Sequence, residues 1–109
     1  MLRKALLLTV TLLTGTLLIM GCDTTANREL QRAEKALDEA LDLSADAYAS
    51  DDYMAAEELL MEAEELANDN RIQEARQAAI KAKLRAEESM KKAQEYHRIM
   101  EDEADRLGR

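Results

Sequence analysis

The sequence predicts an all-α protein: an up-down-up, coiled-coil-like arrangement of three antiparallel helices ending in a long C-terminal helix. Three observations predict it. After residue 22 the chain is dominated by Ala, Glu, Leu, Lys, Arg and Gln, and it contains no proline; these are strong helix formers with no breaker among them. Apolar residues recur at alternating steps of three and four, which places them on one stripe of a helix. Charge is segregated: Asp38 to Asp69 holds twelve acids and no base, whereas Arg71 to Lys92 holds seven bases and three acids.

The first helix is expected over about 28–48, with Leu30, Ala33, Leu37, Ala40, Ser44 and Ala47 on its seam. The stretch Tyr48-Ala49-Ser50-Asp51-Asp52-Tyr53 interrupts it. Ser50, Asp51 and Asp52 are N-cap candidates there, since short side-chain oxygens accept the free N–H groups of a helix start. The second helix is expected over about 52–67. Ala56, Leu59, Ala63 and Leu66 form its seam, widened by Leu60 and Ala67.

Asn68 to Arg71 is the second break, and Asn70 with Gln73 reads as a capping box at the next helix start. The third helix is expected over about 71–107, with a seam of Ile72, Ala75, Ala79, Ala82, Ala86, Ser89, Ala93, Tyr96, Met100 and Leu107. Glu87→Lys91 and Glu88→Lys92 support it as i,i+4 pairs. At 1.5 Å per residue it reaches ~50 Å, against ~25 Å for the second. Tyr53–Ala63 and Ile72–Ala82 also echo one another at an offset of 19. Two copies do not make a repeat array.

The second helix alone repels itself, for instance between Glu58 and Glu62 at i,i+4. A basic third helix beside it relieves this, and the short break forces the two antiparallel. Being longer, the third helix is expected to overshoot the bundle from about Ala93. Its overhang carries Tyr96, Ile99, Met100 and Leu107, an apolar stripe suited to an envelope protein or a second copy. The alternative is a frayed end with scattered apolar residues.

The residues point to no reaction. His97 and Glu101 form an i,i+4 pair, but two ligands make a poor metal site, so no metal is assigned. Asp51-Asp52 and Glu57-Glu58 read as caps and surface, because adjacent helical residues diverge and catalysis needs a concave, desolvated site. No catalytic residue and no cofactor is assigned. The net charge of −8 argues against nucleic acid, which needs a basic face. Met54, Met61, Met90 and Met100 read as seam fillers. Tyr48 and Tyr53 flank the first break, either packing to fix the turn or stacking on a peptide or glycan.

The N-terminal 21 residues are a different polymer. Arg3 and Lys4 precede an apolar run from Ala5 to Met20, the layout of a secretory signal rather than of a spanning helix. Ile19-Met20-Gly21-Cys22 resembles the bacterial lipobox, although Met20 is bulkier than that pattern's usual residue. The resemblance implies a diacylglycerol thioether on Cys22, removal of residues 1–21 and acylation of the new N-terminus with a fatty acid such as palmitate. Two or more chains suffice for stable anchoring in a membrane. The only cysteine then carries lipid and needs no disulfide partner. Asp23 resembles an enterobacterial inner-membrane retention signal. The expected place is the bacterial envelope, lipid-anchored and facing the periplasm, with the choice of inner or outer membrane left open. Residues 22–27 would be a lipidated tether and 28–109 the helical domain.

Tyr48-Ala49, Ala56, Leu60, Ala63, Ala75-Arg76 and Ala79 together resemble the Ala-rich helical module called domain of unknown function 4398. Ser50 stands where that module commonly has proline, and Asn68-Asp69-Asn70 replaces its glycine turn. The resemblance covers roughly half of the chain after Cys22. It implies an envelope lipoprotein, in some members joined to an OmpA-like peptidoglycan-binding domain, for which this sequence carries no counterpart. The hairpin also resembles a tetratricopeptide unit without its Trp and Gly positions. The resulting expectation is a non-enzymatic adaptor or assembly element of the envelope. The alternative is a spacer that contacts peptidoglycan; the closing Asp105-Arg106-Leu107-Gly108-Arg109 lacks the terminal lysine that a covalent murein link needs.

Overall fold

The computed structural model describes residues 24–108. Ile19, Met20, Gly21, Cys22 and Asp23, on which the lipidation and sorting expectations rest, lie outside them. The described chain is all-α, in four helices: α1 (Thr24–Asp42), α2 (Ala45–Tyr48), α3 (Ser50–Asn68) and α4 (Ile72–Leu107). None is long and apolar enough to cross a membrane.

The up-down-up order follows from which seam residues meet. One layer joins Leu30 of α1, Ala63 and Leu66 of α3, and Ala78 and Ala79 of α4. The next joins Ala36 and Leu37, Ala56, and Ala86, with Tyr53 and Leu60 packed against them. The last joins Ala40, Ala45 and Ala93, with Leu43, Tyr53 and Met90 alongside. Residue numbers rise together in α1 and α4 and fall in α3, so α3 runs antiparallel to both. The long α4 packs along α3 and α1, which touch each other less.

Fourteen of the fifteen buried apolar residues among those described are alanine; the exception is Leu37. Small seam residues let helix axes approach to the near end of the ~8–10 Å range. The large apolar side chains sit outside instead: Leu41, Met54, Met61, Ile80, Leu84, Ile99, Met100 and Leu107 are all exposed. Of the four methionines read as seam fillers, only Met90 packs against the core.

The breaks differ from the expectation in instructive ways. α1 starts at Thr24, so most of the expected tether is helical, and buried Ala26 extends the seam by one step below Leu30. α1 also ends sooner, at Asp42, because Ser44 takes a left-handed conformation (φ 57°) and turns the chain into the single-turn α2. Ala47, placed on the seam by its spacing, is therefore exposed.

The N-cap of α3 is Ala49, with no side-chain cap bond. Ser50, Asp51 and Asp52 lie inside the first turn, where Asp51 and Asp52 meet the positive end of the helix dipole. Asn70 closes α3 rather than opening α4. It is left-handed (φ 61°), its N–H donates to the Ala67 carbonyl at 3.0 Å, and the Arg71 N–H donates to the Leu66 carbonyl at 2.8 Å. That pair of bonds is a Schellman motif, in which asparagine tolerates the conformation glycine usually supplies. The N-cap of α4 is Arg71, again without a side-chain bond.

Candidate functional site

Three features of the surface carry chemistry. The first is the upper end of the bundle. Tyr48 stacks on Tyr96 with ring centroids 4.1 Å apart and planes 17° from parallel. His97 meets Tyr48 edge-on at 5.2 Å, and its Nε2 lies 3.0 Å from the Leu43 carbonyl oxygen. Together these contacts lock the first turn onto α4. Ala93 is fully buried, so the overshoot starts only after His97, not at Ala93 as expected. Tyr96 thus belongs largely to an internal stack. Of the expected partner surface, Ile99, Met100 and Leu107 lie on the free extension. His97 is half-buried against α1's end rather than on a solvated face with Glu101. Glu95, Arg98 and Asp102 form an ion-pair ladder along this part of α4, with Arg98 2.6 Å from Glu95 and 3.9 Å from Asp102.

The second feature is Asp52. It is only 6% exposed and bridges to α4 through Arg85, at 3.0 Å, and Lys92. It links α3 to α4 by charge; among the described residues no other ion pair joins two helices within 4 Å. The segregated charges of α3 and α4 therefore do not zip those two helices together, as the sequence suggests, except at this residue. The hydrogen bond from Lys92 draws the Asp52 carboxyl below its ordinary value, against the opposing effect of burial, and Arg85 adds to the lowering.

A stability consequence follows. A depressed folded-state value means that the ionised pair stabilises the fold at pH values above the ordinary carboxyl range. That contribution is lost as pH falls through the lowered value. Lys92 is raised by the same bond, so its part persists at neutral pH and is lost only as pH climbs through the raised value. Asp52→Asn is expected to cost about 1 kcal/mol at pH 7, a discounted figure because both cations are more than half exposed. Urea melts of variant and wild type should converge as pH falls below the lowered Asp52 value. Equal midpoints at pH 7 would show the bridge to be inert.

The third feature is an open groove of about 400 Å³ between α1 and α3. Leu37, Leu60, Met61 and Tyr53 line it, and Glu34, Asp38, Glu57 and Glu64 rim it. Among the described residues none of these four carboxylates has an ion-pair partner within 4 Å. The Tyr53 hydroxyl is pushed up by burial first, then by Glu57, Asp46 and Asp38, which reports the negative field there. Sequence spacing shows the acids but not the groove, because α1 and α3 are brought together mainly by their shared packing on α4.

Among the described residues no three potential metal ligands cluster, and no buried side-chain polar atom lacks a partner. Buried Ser89, for example, donates to the Ala86 carbonyl at 2.7 Å. No protein-family model matches the chain, and comparisons with curated proteins and with solved structures find no match.

Proposed function

We propose that this chain is a lipid-anchored, non-enzymatic helical element of the bacterial envelope, serving as an adaptor that holds another envelope protein against its outer faces. The observation that carries the reading is the division of apolar side chains: alanine, with Leu37, fills the buried seam, while Leu41, Met54, Met61, Ile80, Leu84, Ile99, Met100 and Leu107 are exposed. An exposed apolar side chain alone is ordinary, but a run of them on a helix that projects past its bundle offers a contact surface. The signal-like N-terminus and the Ile19-Met20-Gly21-Cys22 motif supply the anchor and the compartment. The resemblance to domain of unknown function 4398 agrees with that compartment and rests on the residues between Tyr48 and Ala79.

The second reading is a spacer on peptidoglycan. The partly exposed Tyr48–Tyr96 stack favours it, since an aromatic face suits the apolar C–H face of a sugar ring. A photoreactive residue at Met100, installed in the protein in living cells, separates the two. The adaptor reading expects a discrete adduct with an envelope protein, and no sedimentation of the protein with purified cell wall. Co-sedimentation without an adduct would replace it by the spacer reading, and the absence of both would remove its support.

A further inference from the structure

The groove between α1 and α3 has a counterpart on the opposite side of the same molecule. Ile80 and Leu84, one turn apart and both exposed, project roughly half a turn around α4 from its alanine seam. Lys81 and Lys91 flank them, exposed and, among the described residues, without an ion-pair partner within 4 Å. From Arg76 to Lys92 there are six bases against two acids, a net +4, whereas α3 from Ser50 to Asn68 carries seven acids and no base. The groove is an apolar floor with an acidic rim; the α4 ridge is an apolar pair with a basic rim.

We infer that the groove receives the Ile80–Leu84 ridge of α4 from a second copy of this chain. A helix laid there meets α1 and α3 on the side away from their own α4 and completes a four-helix packing around the groove. The free tip of α4 is the wrong occupant. From Arg98 to Leu107 it carries four acids and two bases, a net −2, and the rim repels it. Because groove and ridge lie on opposite faces, the contact is heterologous. Each copy leaves one groove and one ridge unfilled, and the assembly grows as an open row. The inference deepens the adaptor reading by naming one partner of the outer faces. Confinement by lipid at one surface would raise the effective concentration for a contact of this modest size.

The test uses the full-length protein, processed by its host and purified in detergent, with sedimentation as the readout. Wild type is expected to form dimers and larger species that shrink as salt rises, because exposed charges are screened. Glu57→Lys/Glu64→Lys and Lys81→Glu/Lys91→Glu should each weaken association roughly 30-fold. All four sites are exposed, so circular dichroism should be unchanged. An equimolar mixture of the two variants should recover pairing, since the unaltered basic ridge of the first variant then meets the unaltered acidic groove of the second. Leu84→Asp should dissociate the row without a charge partner to restore it.

A wild type that stays monomeric at every concentration overturns the inference. So does a monomer that instead captures a cationic amphipathic helical peptide, or association that survives both charge reversals and yields to changes at Ile99 and Met100. In each of these cases fatty-acid labelling at Cys22 and the Met100 adduct still report on the anchored-adaptor reading independently.

Discussion

Replacing Ala86 with leucine is expected to destabilise the bundle by about 3 kcal/mol. Ala86 is fully buried where all three long helices meet, in one layer with Ala36 and Leu37 of α1 and Ala56 of α3. A leucine there adds three carbons at a point where backbones approach closely and where Leu37, Tyr53 and Leu60 already fill the space around the layer. The helices must separate, and the alanines above and below lose contact with their partners. A domain of this size has roughly 4–13 kcal/mol in total, so the loss is a large share of the whole. Urea denaturation followed by helical circular dichroism measures it. The same enlargement at exposed Ala104, on the free end of α4, should change the midpoint by no more than about 0.5 kcal/mol. Equal midpoints for the two variants would mean that the seam is loosely packed and that the alanines do not set the helix spacing.

Cys22→Ala is expected to abolish incorporation of an alkyne fatty acid and to leave the precursor uncleaved. The reasoning is chemical. In the proposed anchoring the thiol is the nucleophile that takes the glyceride, and this chain has no other cysteine to substitute for it. Each methylene buried in a bilayer contributes about 0.8 kcal/mol, so loss of two or three chains removes the anchor outright. In-gel fluorescence after labelling, together with the mass of the mature form, reads both effects. A variant that labels as well as wild type would remove the anchor from the proposed function while leaving the helical body unchanged.

Much of the helical body was legible from residue spacing. Alternating steps of three and four place Ala33, Leu37 and Ala40, then Ala56 and Ala63, then Ala75 through Ala93, on buried faces, and all are buried. Spacing failed where backbone conformation or distant sequence decides. Ser44 keeps the seam's rhythm, yet its left-handed backbone ends α1, and no period records a dihedral angle. Asn70 has the side chain of an N-cap but is used as the left-handed residue after a helix. Asp52 looks like its neighbour Asp51 in sequence; its burial depends on Arg85 and Lys92, which lie 33 and 40 residues away. Tyr96 reads as an exposed end of the stripe until Tyr48 arrives from the first turn. The groove is legible only once α4 has drawn α1 and α3 to its sides, since no segment of sequence contains both walls.

The alanine interior has a thermal consequence. The heat capacity of unfolding is set mainly by how much nonpolar surface becomes hydrated, and polar surface opposes it. A methyl group exposes little, and many of the larger hydrocarbon side chains, among them Leu41, Met54, Met61, Ile80, Leu84, Ile99, Met100 and Leu107, are already wet in the native form. The heat-capacity increment per residue should fall below the usual ~12–15 cal/mol/K, which flattens the dependence of folding free energy on temperature. Such a rod gains little by cooling and weakens gradually on warming.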